Sequence, residues 1–239
     1  MGLFDFMLSP EKKIAKHVRR LTNRDAQPED REGSAAWLAQ HGTPQAILGL
    51  LSRFDMQLEH HLKDQGEKDQ LFHLLVELGD KSVEPARVWL RQCSAVARPL
   101  ALLERLQGEE AAIQAAYEIL AIERKDGNDF KPAKKKAVLI WLADRRHDDA
   151  IEQAAPFLDD FDEGVRYAAT EVIAAQKDES GAQPLLTILT NPEEDSNRLR
   201  VRVCEVMAQH RWPVGESEAA LAQSLPDGFR LSDGRILRA

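Results

Sequence analysis

Residues 157–176 read FLDDFDEGVRYAATEVIAAQ. Four acids, Asp159, Asp160, Asp162 and Glu163, stand just ahead of Val165 and Arg166. Beyond them Val165, Ala168, Ala169, Val172 and Ile173 recur at a spacing that puts all five on one helical face. After the polar turn KDESG comes a second apolar set, Leu185, Leu186, Ile188 and Leu189, with Ser180 as its predicted N-cap. The stretch predicts two helices joined by a tight turn. The acids ahead of it are either a charged active site or one unit of a repeating series.

Shifting the register decides for the series. Thirty-four residues on, LRVRVCEVMAQ (199–209) places Leu199, Val203, Val206 and Met207 at equivalent positions, with Arg200 where Arg166 stood. Thirty-two residues back, AKKKAVLIWLA (133–143) places Lys134 there, with Ala137, Ile140 and Trp141 on the apolar face. Its second helix is DDAIEQAAPFL (148–158). A recurring period of this size is the signature of a solenoid, in which each helix pair buries its apolar side only against its neighbours.

The first half follows the same plan more loosely. In GSAAWLAQHGTPQAILGLLSRF (33–54), Gly42 closes one helix, Thr43 caps the next and Pro44 takes its first turn. Ile47, Leu50, Leu51 and Phe54 form the stripe of that second helix. QLFHLLVELGDKSVEPARVWLRQ (70–92) and RPLALLERLQGEEAAIQAAYEIL (98–120) repeat it, punctuated by Gly79 and Gly108; in the latter, Ile113, Ala116, Tyr117 and Leu120 face inward. This gives about six helix pairs, spaced about 28 to 38 residues apart. Insertions are expected as loops near Asp55–Asp69 and Lys125–Phe130.

An acidic turn, then Val-Arg, then small apolar residues stands here as DDFDEGVRYAA (159–169). This resembles the motif of the HEAT-repeat family, and within it the short bacterial form related to the HEAT-like repeats of phycobilin lyases. The likeness runs over Phe130–Leu225 and more loosely over Glu32–Leu120. It implies an all-α, right-handed α-solenoid with one row of helices lining a concave groove. It also implies that acid and arginine tie neighbouring repeats together, a structural role for Asp162 and Arg166. The solenoid is expected over 27–225, between an amphipathic capping segment at 1–26 and a tail or short hairpin at 226–239.

The ends carry their own signals. In MGLFDFMLSPEKKIAKHVRRLTN (1–23), Ser9-Pro10-Glu11 is a helix start. Ile14, Val18 and Leu21 form one face; Lys12, Lys13, Lys16, Arg19 and Arg20 surround it, and Leu3, Phe4, Phe6 and Met7 precede it. The helix is expected to cover the first repeat; docking to a partner or to an anionic membrane surface is the alternative use. At the other end, LPDGFRLSDGRILRA (225–239) alternates apolar and polar residues around Ser-Asp-Gly, a hairpin signal.

Charge narrows the function. The net charge is -8, and 148–195 holds thirteen acids against only Arg166 and Lys177. Such a field repels phosphate backbones and favours a basic or mixed-charge protein partner. Asp148, Asp149, Glu152, Asp159 and Asp160 are the candidate partner-binding residues. The basic run Lys131, Lys134, Lys135, Lys136, Arg145, Arg146 and His147 beside them is read as balancing that charge.

Catalytic signatures are missing. No CxxC, Walker loop, GxGxxG or GxSxG occurs, and adjacent His60 and His61 diverge on a helix. Deoxyhypusine hydroxylases, HEAT-repeat enzymes, use His-Glu dipeptides for iron, and the chain has none. The HEAT-like alkylpurine DNA glycosylases offer another comparison, but Trp37, Trp89, Trp141 and Trp212 each lie in an apolar helical stretch and read as core. No cofactor or metal is expected. Cys93 and Cys204 read as buried free thiols of a reducing compartment, and no apolar run reaches membrane-spanning length, which suggests a cytoplasmic scaffold or adaptor.

Overall fold

The computed structural model of the chain describes residues 9–125, 132–222 and 224–239. The chain divides into two compact units, Met1–Ile119 and Leu120–Ala239. Both are built from helix pairs, as the apolar periodicity predicts.

In the first unit, α1 (Pro10–Leu21) precedes three pairs: α2 (Pro28–His41) with α3 (Pro44–Leu51), α4 (His61–Glu77) with α5 (Val83–Gln92), and α6 (Ala97–Gln107) with α7 (Glu109–Lys125), whose residues from Leu120 on fall in the second unit. First helices pack on first helices, α2 on α4 and α4 on α6, and α3 packs on α5. The two layers bury Leu38, Ile47, Leu50, Leu75, Leu90 and Leu103 completely. The turn between α2 and α3 forms as its residues dictate. Gly42 takes a left-handed φ of 62°, and the Thr43 hydroxyl accepts from the Ala46 amide at 3.4 Å.

Helix α1 covers the first pair, packing on both α2 and α3. Its Ile14 and Leu21 are buried. Gly49 in α3 makes the approach possible, since a Cβ there would come within 2.3 Å of the Val18 side chain. His17 stacks on Trp37 at 4.1 Å, and Trp37 on His41 at 5.1 Å. The apolar side of α1 is therefore turned inward. Lys12, Arg19 and Arg20 stay exposed, and Lys13 and Lys16 are partly covered. Leu3, Phe4, Phe6 and Lys131 lie outside the described residues.

The second unit holds α8 (Pro132–Ala143) with α9 (Ala150–Ala154), α10 (Glu163–Gln176) with α11 (Ala182–Thr190), and α12 (Asn197–His210) with the short α13 (Glu218–Leu221). Again first helices stack, α8 on α10 and α10 on α12. The five apolar residues expected on α10 are all buried, as are Leu199, Val203, Val206 and Met207 on α12. The chain then turns into an antiparallel hairpin, β1 (Phe229–Ser232) and β2 (Arg235–Arg238). Strand β2 lies on α12 with Ile236 fully buried, and the Val214 amide donates to the Gly234 carbonyl at 2.9 Å.

Three local expectations need correction. The segment expected as a loop near Asp55–Asp69 is largely helix, because α4 begins at His61. The counterpart of Arg166 is Lys135, not Lys134. The one-residue shift buries Val138, Leu139, Trp141 and Leu142 and leaves Ile140 56% exposed. The turn before α11 is capped by Asp178, whose carboxylate accepts from the Ser180 amide at 2.8 Å, rather than by Ser180. An acceptor two residues earlier satisfies the first free amide more directly than the serine hydroxyl.

Candidate functional site

Helix α4 carries charge on its buried face. Asp64, Lys68, Leu71 and Leu75, spaced four, three and four apart, all point inward. The charge survives there because Arg53 reaches Asp64, and Arg53 and Arg31 together hold the neighbouring Glu67. Arg53, in the 3-10 turn Ser52–Asp55 after α3, is only 1% exposed. Its Nη2 donates to Asp64 Oδ1 and to Glu67 Oε2, both at 2.9 Å, and its Nη1 to the Met56 carbonyl at 3.1 Å. Arg31 of α2 forks onto Glu67 through Nη2 at 2.6 Å and Nε at 2.9 Å, and also donates to the carbonyl of Ala26. Lys68 Nζ reaches Asp64 Oδ2 at 2.7 Å. Each carboxylate thus faces two cations, the arrangement that lets buried charge persist.

The same contacts set the proton affinities. Burial pushes Asp64 upward, but hydrogen bonds from Lys68 and Arg53 outweigh it and hold the carboxyl below its ordinary value. For Glu67, burial is likewise outweighed by the hydrogen bonds of Arg31 and Arg53. Glu67 in turn holds the Arg31 guanidinium above its ordinary value. Depressed carboxyls in the folded chain mean that unfolding takes up protons. Their stabilisation is full above the unfolded pKa of about 4 and is lost as pH falls through the lower folded values. Relative to the intrinsic rate at each pH, amide protection on peptides from α2 and α4 should fall below about pH 4, and this acid sensitivity should vanish in Glu67→Gln/Asp64→Asn. Equal acid sensitivity in that variant would assign the effect to other carboxyls.

Over this network lies an open groove of about 660 Å³ between α2 and α4. Leu21, Ala35, Ala36, Leu71 and Leu74 supply its apolar surface, and Arg31, Arg53 and Glu67 its floor. Gly66 sits on the rim, and a Cβ built there meets nothing within 4 Å. Lys63, His73, Glu32 and Glu77 surround the opening and are exposed. The site is a hydrophobic trough on a floor of fixed, internally paired charges. It can seat an apolar side of another molecule. Asp64 and Glu67 are held in the ionised form, which does not suit proton transfer near neutral pH.

The residues singled out from sequence sit elsewhere. Asp148, Asp149, Glu152 and Asp159 are exposed around α9 and the turn after it. Asp160 is not part of that surface. Its side chain is 8% exposed and accepts from Lys135 Nζ at 2.5 Å. Phe161 beside it is 86% exposed. His60 and His61 open α4 and are both exposed. Cys93 and Cys204 are buried and joined in no disulfide among the described residues, and burial pushes the Cys204 thiol up to about 12, so it stays protonated.

Asp162 and Arg166 take structural roles by different means. Asp162 caps α10, accepting from the Val165 amide at 3.0 Å. Arg166 reaches forward to the next turn, where Nη2 donates to Glu194 Oε1 at 2.9 Å and Nε lies 2.8 Å from Oε2. Lys135 holds Asp160 in the same way, and Arg200 donates to the carbonyl of Ser224. In the second unit the cations on α8 and α10 thus grip the turn that opens the following repeat, and Arg200 on α12 holds the segment between α13 and the hairpin.

The groove residues Arg31, Arg53, Asp64 and Glu67 were not singled out from sequence. Their only signal was charge at Asp64 and Lys68 in line with Leu71 and Leu75, hidden by the polar run EHHLKDQGEKDQ (59–70). Stacked helix pairs in both units define an all-α helical-repeat protein. Residues 120–204 match the family model of HEAT repeats. No curated protein matches the chain.

Proposed function

We propose that the protein is a non-catalytic protein-interaction scaffold or adaptor. HEAT repeats commonly act in this way, and the match at 120–204 supports the reading for this chain. The observation that carries it is the groove between α2 and α4, whose walls are apolar and whose floor charges already satisfy one another. A partner segment with an apolar helical face gains burial there without leaving an unpaired charge. The exposed acids Asp148, Asp149, Glu152 and Asp159 form a second contact surface, for a basic or mixed-charge region of a partner. The finer likeness, to short bacterial repeats of the phycobilin-lyase type, and a cytoplasmic setting belong to the same proposal. No helix among the described residues is long and apolar enough to cross a membrane. The inward turn of Ile14 and Leu21 weakens the membrane-adaptor alternative, and the exposed bases of α1 remain available to a partner.

Gly66 lines the groove and a Cβ there meets nothing within 4 Å, so Gly66→Trp is expected to project its ring into the opening, and replacing a mid-helix glycine stabilises α4 by about 0.5 kcal/mol. Affinity purification from the native cell should lose the groove partner with this variant while the thermal midpoint holds or rises. Asp148→Lys/Asp149→Lys/Glu152→Lys should lose partners of the acidic surface with helicity unchanged. Recovery of the same partners at the same yield from both variants would remove the support for this function.

A further inference from the structure

The second unit carries a surface of the opposite sign. Between α12 and the hairpin lies a depression of about 630 Å³, with Arg202, Arg211, Arg230 and Arg238 around it and Glu205 as its one carboxylate. Ala208 and Leu237 give it a small apolar surface. Four guanidinium groups against one acid are unusual in a chain of net charge -8. The fold holds them together. Arg202 and Glu205 lie three apart on α12, Arg211 caps that helix at a left-handed φ of 55°, and Arg230 and Arg238 come from the two hairpin strands.

The four arginines are not equally engaged. Arg202 is bidentate to Glu171, with Nε at 2.5 Å and Nη2 at 2.9 Å. Arg238 donates to Glu205 at 2.8 Å. The Arg211 and Arg230 side chains make no ion pair or hydrogen bond among the described residues. Two exposed guanidinium forks therefore line the depression without a partner among the described residues.

We propose that this depression docks a short acidic segment of a protein partner, whose Asp or Glu carboxylates bind Arg211 and Arg230. Three features favour that occupant. The planar fork of arginine matches a carboxylate bidentately, and residues 197–239 contain seven arginines and no lysine. Carboxylates already occupy the neighbouring forks of Arg202 and Arg238, so the local geometry accepts this chemistry. The basic area is also short. Glu205 lies within it, Glu171 holds Arg202 beside it, and at the hairpin turn Glu218 Oε2 is 4.0 Å from a Cβ position at Gly234, the neighbour of Asp233. A long nucleic-acid backbone would run onto those acids, whereas a segment with two or three carboxylates would not. The apolar strip of Ala208 and Leu237 offers a seat for one small apolar side chain between them.

The test uses the full chain and a fluorescein-labelled octapeptide of alternating Asp and Glu, followed by fluorescence anisotropy at two salt concentrations. Saturable binding should weaken as salt rises. Arg211→Asn/Arg230→Gln should lower the affinity by about tenfold or more, since two charge-assisted contacts are lost. Asparagine suits the left-handed position, and both side chains are exposed, so the thermal midpoint should stay unchanged. Arg230→Lys should recover only part of the affinity, because it keeps the charge without the fork. Three results would each overturn the proposal: no saturable binding of the peptide, equal affinity in the double variant, or tighter binding of a labelled oligothymidylate of equal charge. The last would mark a general polyanion surface.

Discussion

Arg53→Met is expected to destabilise the first unit by about 3–5 kcal/mol, the cost of leaving buried carboxylates without their cation. Arg53 is 1% exposed and is shared by Asp64, itself 3% exposed, and Glu67. Methionine fills most of the volume, so the loss is electrostatic rather than a cavity. Two observations should accompany it in urea unfolding followed by circular dichroism and by hydrogen exchange on α2 and α4. Asp64→Asn in the same background should restore part of the loss, since one stranded charge is then gone. Replacing Arg31, Arg53, Asp64, Glu67 and Lys68 together by apolar residues of similar size should come out near the starting stability, because the pairs repay little more than their desolvation. A single-variant loss of about 1 kcal/mol or less would place the network in the class of surface ion pairs. The groove depends on the same contacts, so Arg53→Met should also reduce partner capture at neutral pH.

The second large effect is expected at Arg166. Its carboxylate partner, Glu194, has a side chain only 2% exposed and also accepts from the Ser196 amide at 2.9 Å. Arg166→Ala should cost about 3 kcal/mol in the second unit, as the glutamate cannot follow its lost partner into water. Arg166→Ala/Glu194→Gln should recover part of this. Arg166→Lys should fall between, because one ammonium cannot hold both the carboxylate and the carbonyls of Asp160 and Phe161, which Arg166 Nη1 reaches at 2.9 and 3.1 Å. Comparison with Arg198→Ala provides the control. Arg198 lies 3.5 Å from Glu163 with its side chain 66% exposed, and its loss should cost little. Equal effects at the two positions would show that burial does not govern these contacts.

The helix pairs were legible because each one must bury a stripe, and a stripe at helical spacing is written directly in residues such as Val165, Ala168, Ala169, Val172 and Ile173. The hairpin was legible through Ser232-Asp233-Gly234, where Asp233 and Gly234 both take positive φ. What the sequence hid was polar and tertiary. Lys134, Lys135 and Lys136 are identical by type, and only the acid on the following turn selects Lys135 for burial. Asp160 read as a free surface charge for the same reason. Asp64 and Glu67 sit in a run polar enough to read as a loop, and the arginines that make α4 buriable lie eleven and thirty-six residues away. Periodicity reports what a helix hides from water, not which charges find each other across elements.

The contacts between successive repeats of the second unit also have a direction. Lys135 and Arg166 belong to the earlier repeat, and Asp160 and Glu194 to the later one. Trimming such an array is therefore not symmetric. Cutting away the later repeat leaves behind a long cation that can bend out to solvent along its flexible stem. Cutting away the earlier one leaves a carboxylate in the opening turn without the cation that held it, at the new end of the stack. Engineered variants that shorten this protein should keep the front of the stack and shed from the back.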